Sequence, residues 1–270
     1  MMSDPRGLDP TWPDPARRYN DLLGGKDNFA ADRASSAEIA KHFPAIRVAA
    51  RENRSFLLRA VRYLAADKGI RQFLDIGAGM PMSPGVHEIA QRVDPTARVL
   101  YVDHSELVAA HIRALAVSTE EGRSAFLHGD LRQPQHILTS PQLADALDMS
   151  QPVALILAAI LHFCTDEDDP YSAVRTLIEA LPPGSYVICS HATFDPVDER
   201  IRGRLTKLVD SAKHGPFQAR TRDEIAKFLD GLDLEPPGLV STIAWHPELD
   251  PAADGHEHEA ISYAAVGRVP

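Results

Sequence analysis

Three carboxylates in this chain each close or follow a short apolar run. Asp75 stands in QFLDIGAGMPMSP (residues 72–84), Asp103 closes RVLYVD, and Asp130 stands in HGDLR. An acid just past a buried strand can accept hydrogen bonds from a ligand seated over the strand ends. Taken singly, each acid could equally be a helix cap or a solvated turn. Three in register behind successive strands point to an adenosyl ligand. Asp103, 28 residues after Asp75, can accept both hydroxyls of a ribose. Asp130 can accept the adenine amino group, and Leu131 can pack on the ring. Gly77 and Gly79 allow the backbone to approach the ligand and supply unusual φ angles. A dinucleotide fingerprint would need a third small residue three positions after Gly79. That position holds Met82, beside Pro81, so the loop departs from the NAD pattern.

Other polar clusters read more plainly. Asp166, Glu167, Asp168 and Asp169 precede a helical stretch, where acids complement the helix dipole and solvate a surface. No matching acid stands on another strand to complete a divalent-cation site. Gly24-Gly25-Lys26 lacks both a preceding strand and a following Ser or Thr, so it is not a phosphate loop. Arg47, Arg51 and Arg54 share a helical face and read as a solvated surface. Cys164 and Cys189 lie in or just after apolar runs and read as reduced core thiols. His256 and His258 in GHEHEA read as solvated rather than metal-binding. No metal is expected.

The elements that position these residues alternate. Strands are expected at 71–76, 98–103, 124–128, 152–159 and 185–190, with late strands at 239–245 and 260–266. Helices are expected from Ser83, as N-cap with Pro84 after it, to Val93, then over 105–117, within 134–147, and over 170–181, 197–212 and 221–230. Strand–helix alternation implies an α/β fold, a parallel sheet with helices on both faces. The two late strands, with no helix between them, suggest an antiparallel hairpin at one edge. Ahead of the first strand, helices are expected at 16–23, 29–42 and 45–66. The last is amphipathic, with Phe56, Leu57, Ala60, Val61 and Leu64 on one face. Residues 1–66 are therefore set apart as a helical extension and 67–270 as the nucleotide-binding domain. Residues 1–15 hold four prolines and read as a tail.

DIGAG, YVDHS and HGDLR resemble the first three motifs of the class I S-adenosylmethionine (SAM) methyltransferases. That resemblance implies a Rossmann-like seven-stranded sheet in the order 3-2-1-4-5-7-6, with strand seven antiparallel. It also accounts for Met82, because SAM has no pyrophosphate to cradle. RRYNDLLGGKDNFAADR, AARENRSFL, RQFLDIGAG, GVHEIAQ and LHFCTDEDDP resemble, more narrowly, an actinobacterial S-adenosyl methyltransferase family first catalogued as a domain of unknown function. The likeness spans about residues 13–267. Family members often carry a threonine and a Pro-Thr-Gln-like run where this chain has Ala78 and Met80-Pro81-Met82. The cofactor residues implied are Asp75, Gly77, Ala78, Gly79, Asp103, His104, Asp130, Leu131 and Ile160. Methyl transfer is an in-line displacement that holds the nucleophile near the methyl, excludes water and can require a base. His162, past the fourth strand, is expected to border the methyl as base or orienting group, and His191 past the fifth is a second candidate base. The YNDLLGGKDNF segment is expected to cover the methionine end of the cofactor, bringing Tyr19 and Asn28 to the site, with Tyr19 facing inward as a catalytic candidate.

The chain of 270 residues carries a net charge of −10. That balance disfavours nucleic acid or an anionic membrane as partner. The first residues show no basic, apolar signal segment, and the longest apolar run, Val153–Leu161, is too short to span a bilayer, so a cytoplasmic protein is expected. The expected function is methylation of a small-molecule acceptor in specialised metabolism, with oxygen as the target atom. The alternatives are a SAM-binding regulatory protein without transferase activity and a nicotinamide oxidoreductase. Met82 and the lack of a Tyr-x-x-x-Lys pair disfavour the last.

Overall fold

The computed structural model describes residues 9–211, 213–250 and 256–270, with no account of the side chains of 210, 257 and 258. Three helices come first: α1 (Pro15–Leu22), α2 (Ala30–His42) and α3 (Ile46–Asp67). Five parallel strands follow, β1 (Gln72–Ile76), β2 (Arg98–Asp103), β3 (Arg123–His128), β4 (Ala154–Ala158) and β5 (Tyr186–Ala192). They alternate with α4 (Val86–Val93), α5 (Glu106–Leu115), α6 (Pro134–Leu138), α7 (Pro141–Ala146) and α8 (Pro170–Glu179). The chain closes with α9 (Glu199–Asp210), α10 (Arg222–Ala226), β6 (Asp233–Leu234), β7 (Val240–Ser241), α11 (Glu257–Ala260) and β8 (Ser262–Arg268).

The sheet order is β3-β2-β1-β4-β5-β8-β6, with β7 also paired to β8. β8 runs antiparallel between β5 and the edge. This is the expected order in all but one respect: the sixth strand is broken into β6 and β7, both on the outer edge of β8. Pro236 and Pro237 fall in the gap and have no N–H to give a ladder. The strand expected over 239–245 stops at Ser241 because the chain turns to bury Trp245 completely, edge-on to Phe56 and Tyr63 of α3.

Two apolar layers sandwich the sheet. α3, α4 and α5 cover one face, where Phe56, Ala60, Val61 and Leu64 meet Phe73, Val99, Ile156 and Ile188. α6, α7, α8 and the turn after α10 cover the other. The apolar stripe of α3 belongs to the first layer. Two helix boundaries differ from expectation. α4 starts at Val86 with Gly85 as N-cap, because Glu88 accepts both the Gly85 N–H and the Ser83 hydroxyl. The stretch 134–147 divides into α6 and α7 at Ser140, whose hydroxyl caps the second piece. Both cysteines are buried free thiols.

Candidate functional site

The loop after β1 is held against the end of β2. The N–H groups of Gly77 and Ala78 donate to the Val102 carbonyl at 2.8 and 3.2 Å. Gly77 and Gly79 sit at φ +75° and +66°. At Gly77 a side chain is also excluded by space, since a Cβ there would lie 2.5 Å from Ile160 Cγ1. Asp103 ties two loops together. Its Oδ2 accepts the Gly79 N–H at 2.9 Å and its Oδ1 the Ser105 N–H at 2.9 Å. A carboxylate has about four lone-pair sites, so roughly half remain for a ligand. His104, exposed, brings Nδ1 to 3.7 Å from Asp103 Oδ1. Burial raises the Asp103 pKa above the usual carboxylate range.

Asp75 is 6 % exposed, and its carboxylate has no hydrogen-bond partner among the described residues. Burial, opposed by the Arg54 charge and reinforced by Asp103, pushes its pKa up to about 7. Asp130 is engaged by Arg132 through both carboxylate oxygens, with Nη2 at 2.6 Å from Oδ2 and Nε at 3.0 Å from Oδ1. Burial pushes its pKa up, but the Arg132 bonds outweigh that and hold it low. Leu131 turns into the core with Ile137 and Leu143.

After β4 the chain turns sharply. Ala159 takes φ +55°, and its N–H is held by the Ser190 carbonyl at 3.2 Å and the Ser190 hydroxyl at 3.0 Å. That turn lays Ile160 over Gly77. His162, 8 % exposed, accepts the Ala192 N–H on Nδ1 at 3.4 Å and packs between Phe163 and Phe217, ring centroids 4.3 and 5.1 Å away. Burial, then the charges of His191, Arg18 and Arg220, holds it neutral. His191 is fully buried with both ring nitrogens occupied: Nδ1 by the Ala192 carbonyl at 2.8 Å and Nε2 by Arg220 at 3.0 Å. Burial takes its pKa down to about 3, so the sequence-based reading of His191 as a base is set aside.

Arg220 carries no sequence signal, yet it fastens this whole loop. It donates to the carbonyls of Leu161 and Cys164 and pairs with Asp166 at 2.7 Å. The acidic run otherwise behaves as expected of a helix start. Asp168 accepts the Thr165 N–H and Asp169 caps α8. Among the described residues no cluster of three His, Cys, Asp or Glu could hold a metal ion; the side chain of His258 lies outside them.

The N-terminal segment crosses these loops. A Cβ at Gly79 would lie 3.9 Å from the Ala16 methyl, the nearest atom to it. The Tyr19 hydroxyl donates to the Ala50 carbonyl at 3.0 Å and accepts from Asn53 Nδ2 at 2.9 Å. Asn53 Oδ1 in turn accepts the Ser190 hydroxyl at 2.6 Å. A buried polar chain therefore runs from α1 through α3 to β5 and the Ala159 turn. Burial raises the Tyr19 pKa. Asn28 is used inside its own turn, donating to Asn20 Oδ1 and the Gly25 carbonyl at 3.0 Å each. Asp32 anchors the segment, pairing with Arg17 at 2.8 Å and accepting the Asp14 and Phe29 N–H groups. The arginine face of α3 is not simply solvated. Arg54 donates to the carbonyls of Met82 and Pro84 and so braces the β1 loop, and Arg47 pairs with Asp21. A cavity of about 360 Å³ runs down α8 past Tyr171 and Phe228 to Pro270, away from the loops of β1 to β3.

Set beside known proteins, residues 1–270 match the model of a family described as S-adenosyl methyltransferase. A DUF574 family protein from Streptomyces avermitilis is 42 % identical, with TM-score 0.91 over 96 % of this chain and 98 % of that one. A candidate methyltransferase from Thermobifida fusca is 37 % identical, with TM-score 0.86 over 100 % and 99 %. The plantazolicin methyltransferase BamL, solved with S-adenosylhomocysteine (SAH), shares the fold at 9 % identity and TM-score 0.51, over 94 % and 96 %. No curated protein matches the chain.

Proposed function

The chain belongs to the S-adenosyl methyltransferase family, and on that premise we propose that it methylates an oxygen atom of a small-molecule acceptor of specialised metabolism, in the cytoplasm. SAM is the cofactor and methyl transfer the activity; a regulatory protein without turnover is not favoured. Among the described residues no helix is long and apolar enough to cross a membrane.

The observation that carries the reading is Asp103. It is buried, rigidly held by one loop N–H on each oxygen, and still has lone pairs to spare for the two ribose hydroxyls. The other strand ends suit the same group. Asp75 offers a buried carboxylate without a hydrogen-bond partner among the described residues, complementary to an ammonium. Gly77 and Gly79 expose bare backbone, and Ile160 gives an apolar wall. Asp130 can receive the adenine amino group if it shares its oxygens with Arg132. Bound SAM supplies a methyl group on a sulfonium, electrophilic without further activation. The protein's part is then to orient the acceptor and keep water out.

His162 serves as the orienting group. Its Nδ1 accepts a backbone N–H, so the neutral ring carries its proton on Nε2 and donates from there. A ring so far below its usual pKa is a weak base, so the acceptor oxygen attacks as the anion, its proton already lost to solvent, the methyl–sulfur bond breaks and SAH leaves. Tyr19, with its hydroxyl occupied twice, covers the site with its ring. Residues 17–29 form a lid whose position the Asn53–Ser190 chain reports to the strand ends; Asn28 shapes the lid's turn.

The test is transfer from SAM labelled in its methyl group, with a bacterial extract separated by size. Label and SAH should appear together, the label in a methoxyl product of the low-molecular-weight fraction. Label confined to protein or nucleic acid, or SAH that binds without any turnover, would overturn the proposal.

A further inference from the structure

Four arginines are buried among the described residues: Arg17, Arg18, Arg59 and Arg220. Three have a carboxylate within ion-pair distance, namely Asp32 for Arg17, Asp250 for Arg59 and Asp166 for Arg220. Arg18, 7 % exposed, has none among the described residues. Among the described residues only its Nη1 is used, donating to the His214 carbonyl at 2.9 Å and the Ser35 hydroxyl at 3.4 Å. The Nε–Nη2 edge, the side-on fork that takes a carboxylate through two parallel hydrogen bonds, is free. Packing does not seal that edge as it seals Nε of Arg220 and Nη1 of Arg59, which are buried without a hydrogen bond among the described residues. Asp14 and Asp32 act on Arg18 only from a distance, and both are engaged elsewhere, Asp14 by the Arg17 N–H and Asp32 by the Arg17 side chain. Burying a cation without an anion is costly, and such a site is completed by one.

The surroundings say where that anion would come from. The segment 214–218 links Arg18 to the proposed acceptor side: His214 takes the Arg18 bond, and the Gln218 N–H donates to the His162 carbonyl at 2.8 Å. Phe163 and Phe217 are half-buried, and their ring centroids stand 6.2 Å apart beside His162. The Arg18 charge is felt at His162. A cation with a free fork is thus tied, through residues 214–218, to the loop after β4 that carries His162 and Phe163, with Phe217 packed on both rings.

We infer that Arg18 is the anion anchor of the acceptor pocket and that the acceptor is a planar, unsaturated molecule bearing a carboxylate. The inference rests on the methyltransferase reading and adds the substrate class. The carboxylate pairs side-on with Arg18, the planar body packs on Phe163 and Phe217, and the Nε2–H of His162 donates to the acceptor.

The probes are 4-hydroxybenzoate and its neutral relative 4-hydroxybenzyl alcohol, each titrated by calorimetry into full-length protein saturated with SAH. The carboxylate should bind at least about tenfold more tightly than the alcohol, the scale of one charge-assisted hydrogen-bond pair. Arg18→Gln, itself saturated with SAH, should abolish that preference. Arg18→Lys, which keeps the charge without the fork, should keep only part of it. If Arg18→Gln also loses SAH, the lysine variant decides. Equal affinities, no binding of the carboxylate, or a full preference surviving in the variants would overturn the inference while leaving the methyltransferase reading intact. Wild-type protein that fails to bind SAH would instead strike the cofactor reading itself, and this inference with it.

Discussion

Asp75 and Asp103 stand at the ends of neighbouring strands and feel each other's charge, yet their surroundings ask different things of them. Asp103 is satisfied by two N–H donors before any ligand arrives. Asp75 is not, and burial lifts its pKa from 3.8 to about 7. A raised pKa means the folded protein takes up a proton that the unfolded chain would release. This group's contribution to the stability of the ligand-free fold is therefore present below about pH 4 and lost as pH rises through about 7. Binding of an ammonium runs the other way, because only the ionised carboxylate attracts it. SAH affinity should therefore rise between about pH 6 and about pH 8, with protons released on binding. Calorimetry in buffers of different ionisation enthalpy reads both, and Asp75→Asn should flatten the profile. A pH-independent affinity in the wild type would remove Asp75 from the cofactor site. The three acids were legible in the sequence because each stands at or just past the end of an apolar run. Arg220, Asn53 and Ser190 were not. Their meaning lies in partners far along the chain, as with Ser190 and Asn53, 137 positions apart.

Among the elements, the parallel strands and α3 were legible because a buried strand must be apolar throughout and an amphipathic helix must repeat its stripe. The sixth strand was not. Residues 239–245 read as one strand, but Pro236, Pro237 and the burial of Trp245 decide where the ladder can form. The N-terminal segment was legible as helices, though not as a body pinned by one acid. Asp32, fully buried, holds the Arg17 side chain and two backbone N–H groups. Asp32→Ala leaves that guanidinium buried and unpaired, a loss of about 3–5 kcal/mol. The loss should be local as well as global. Amide exchange should accelerate over residues 14–29, while β1, β4 and β5 keep their protection. Uniform exchange across lid and sheet in the variant would show that the segment is an inseparable part of the core and not a cover.

For the molecule as a whole, the sheet brings the ends of β1 and β2 under one loop network, while α1 and α3 close over them from the N-terminal side. The polar chain from Tyr19 to Ser190 joins α1 and α3 to the turn carrying Ile160, so the proposed cofactor wall and the proposed lid are parts of one structure. The proposed site turns on an adenosyl ligand held by Asp103. Calorimetric titration of the full chain with SAH and with NAD, on wild type and Asp103→Ala, tests this most directly. One SAH site, no NAD binding and a loss of about 1.5–3 kcal/mol for SAH in Asp103→Ala, roughly tenfold or more in affinity, are expected. An NAD signal without one for SAH, or an SAH affinity untouched by the substitution, would contradict it.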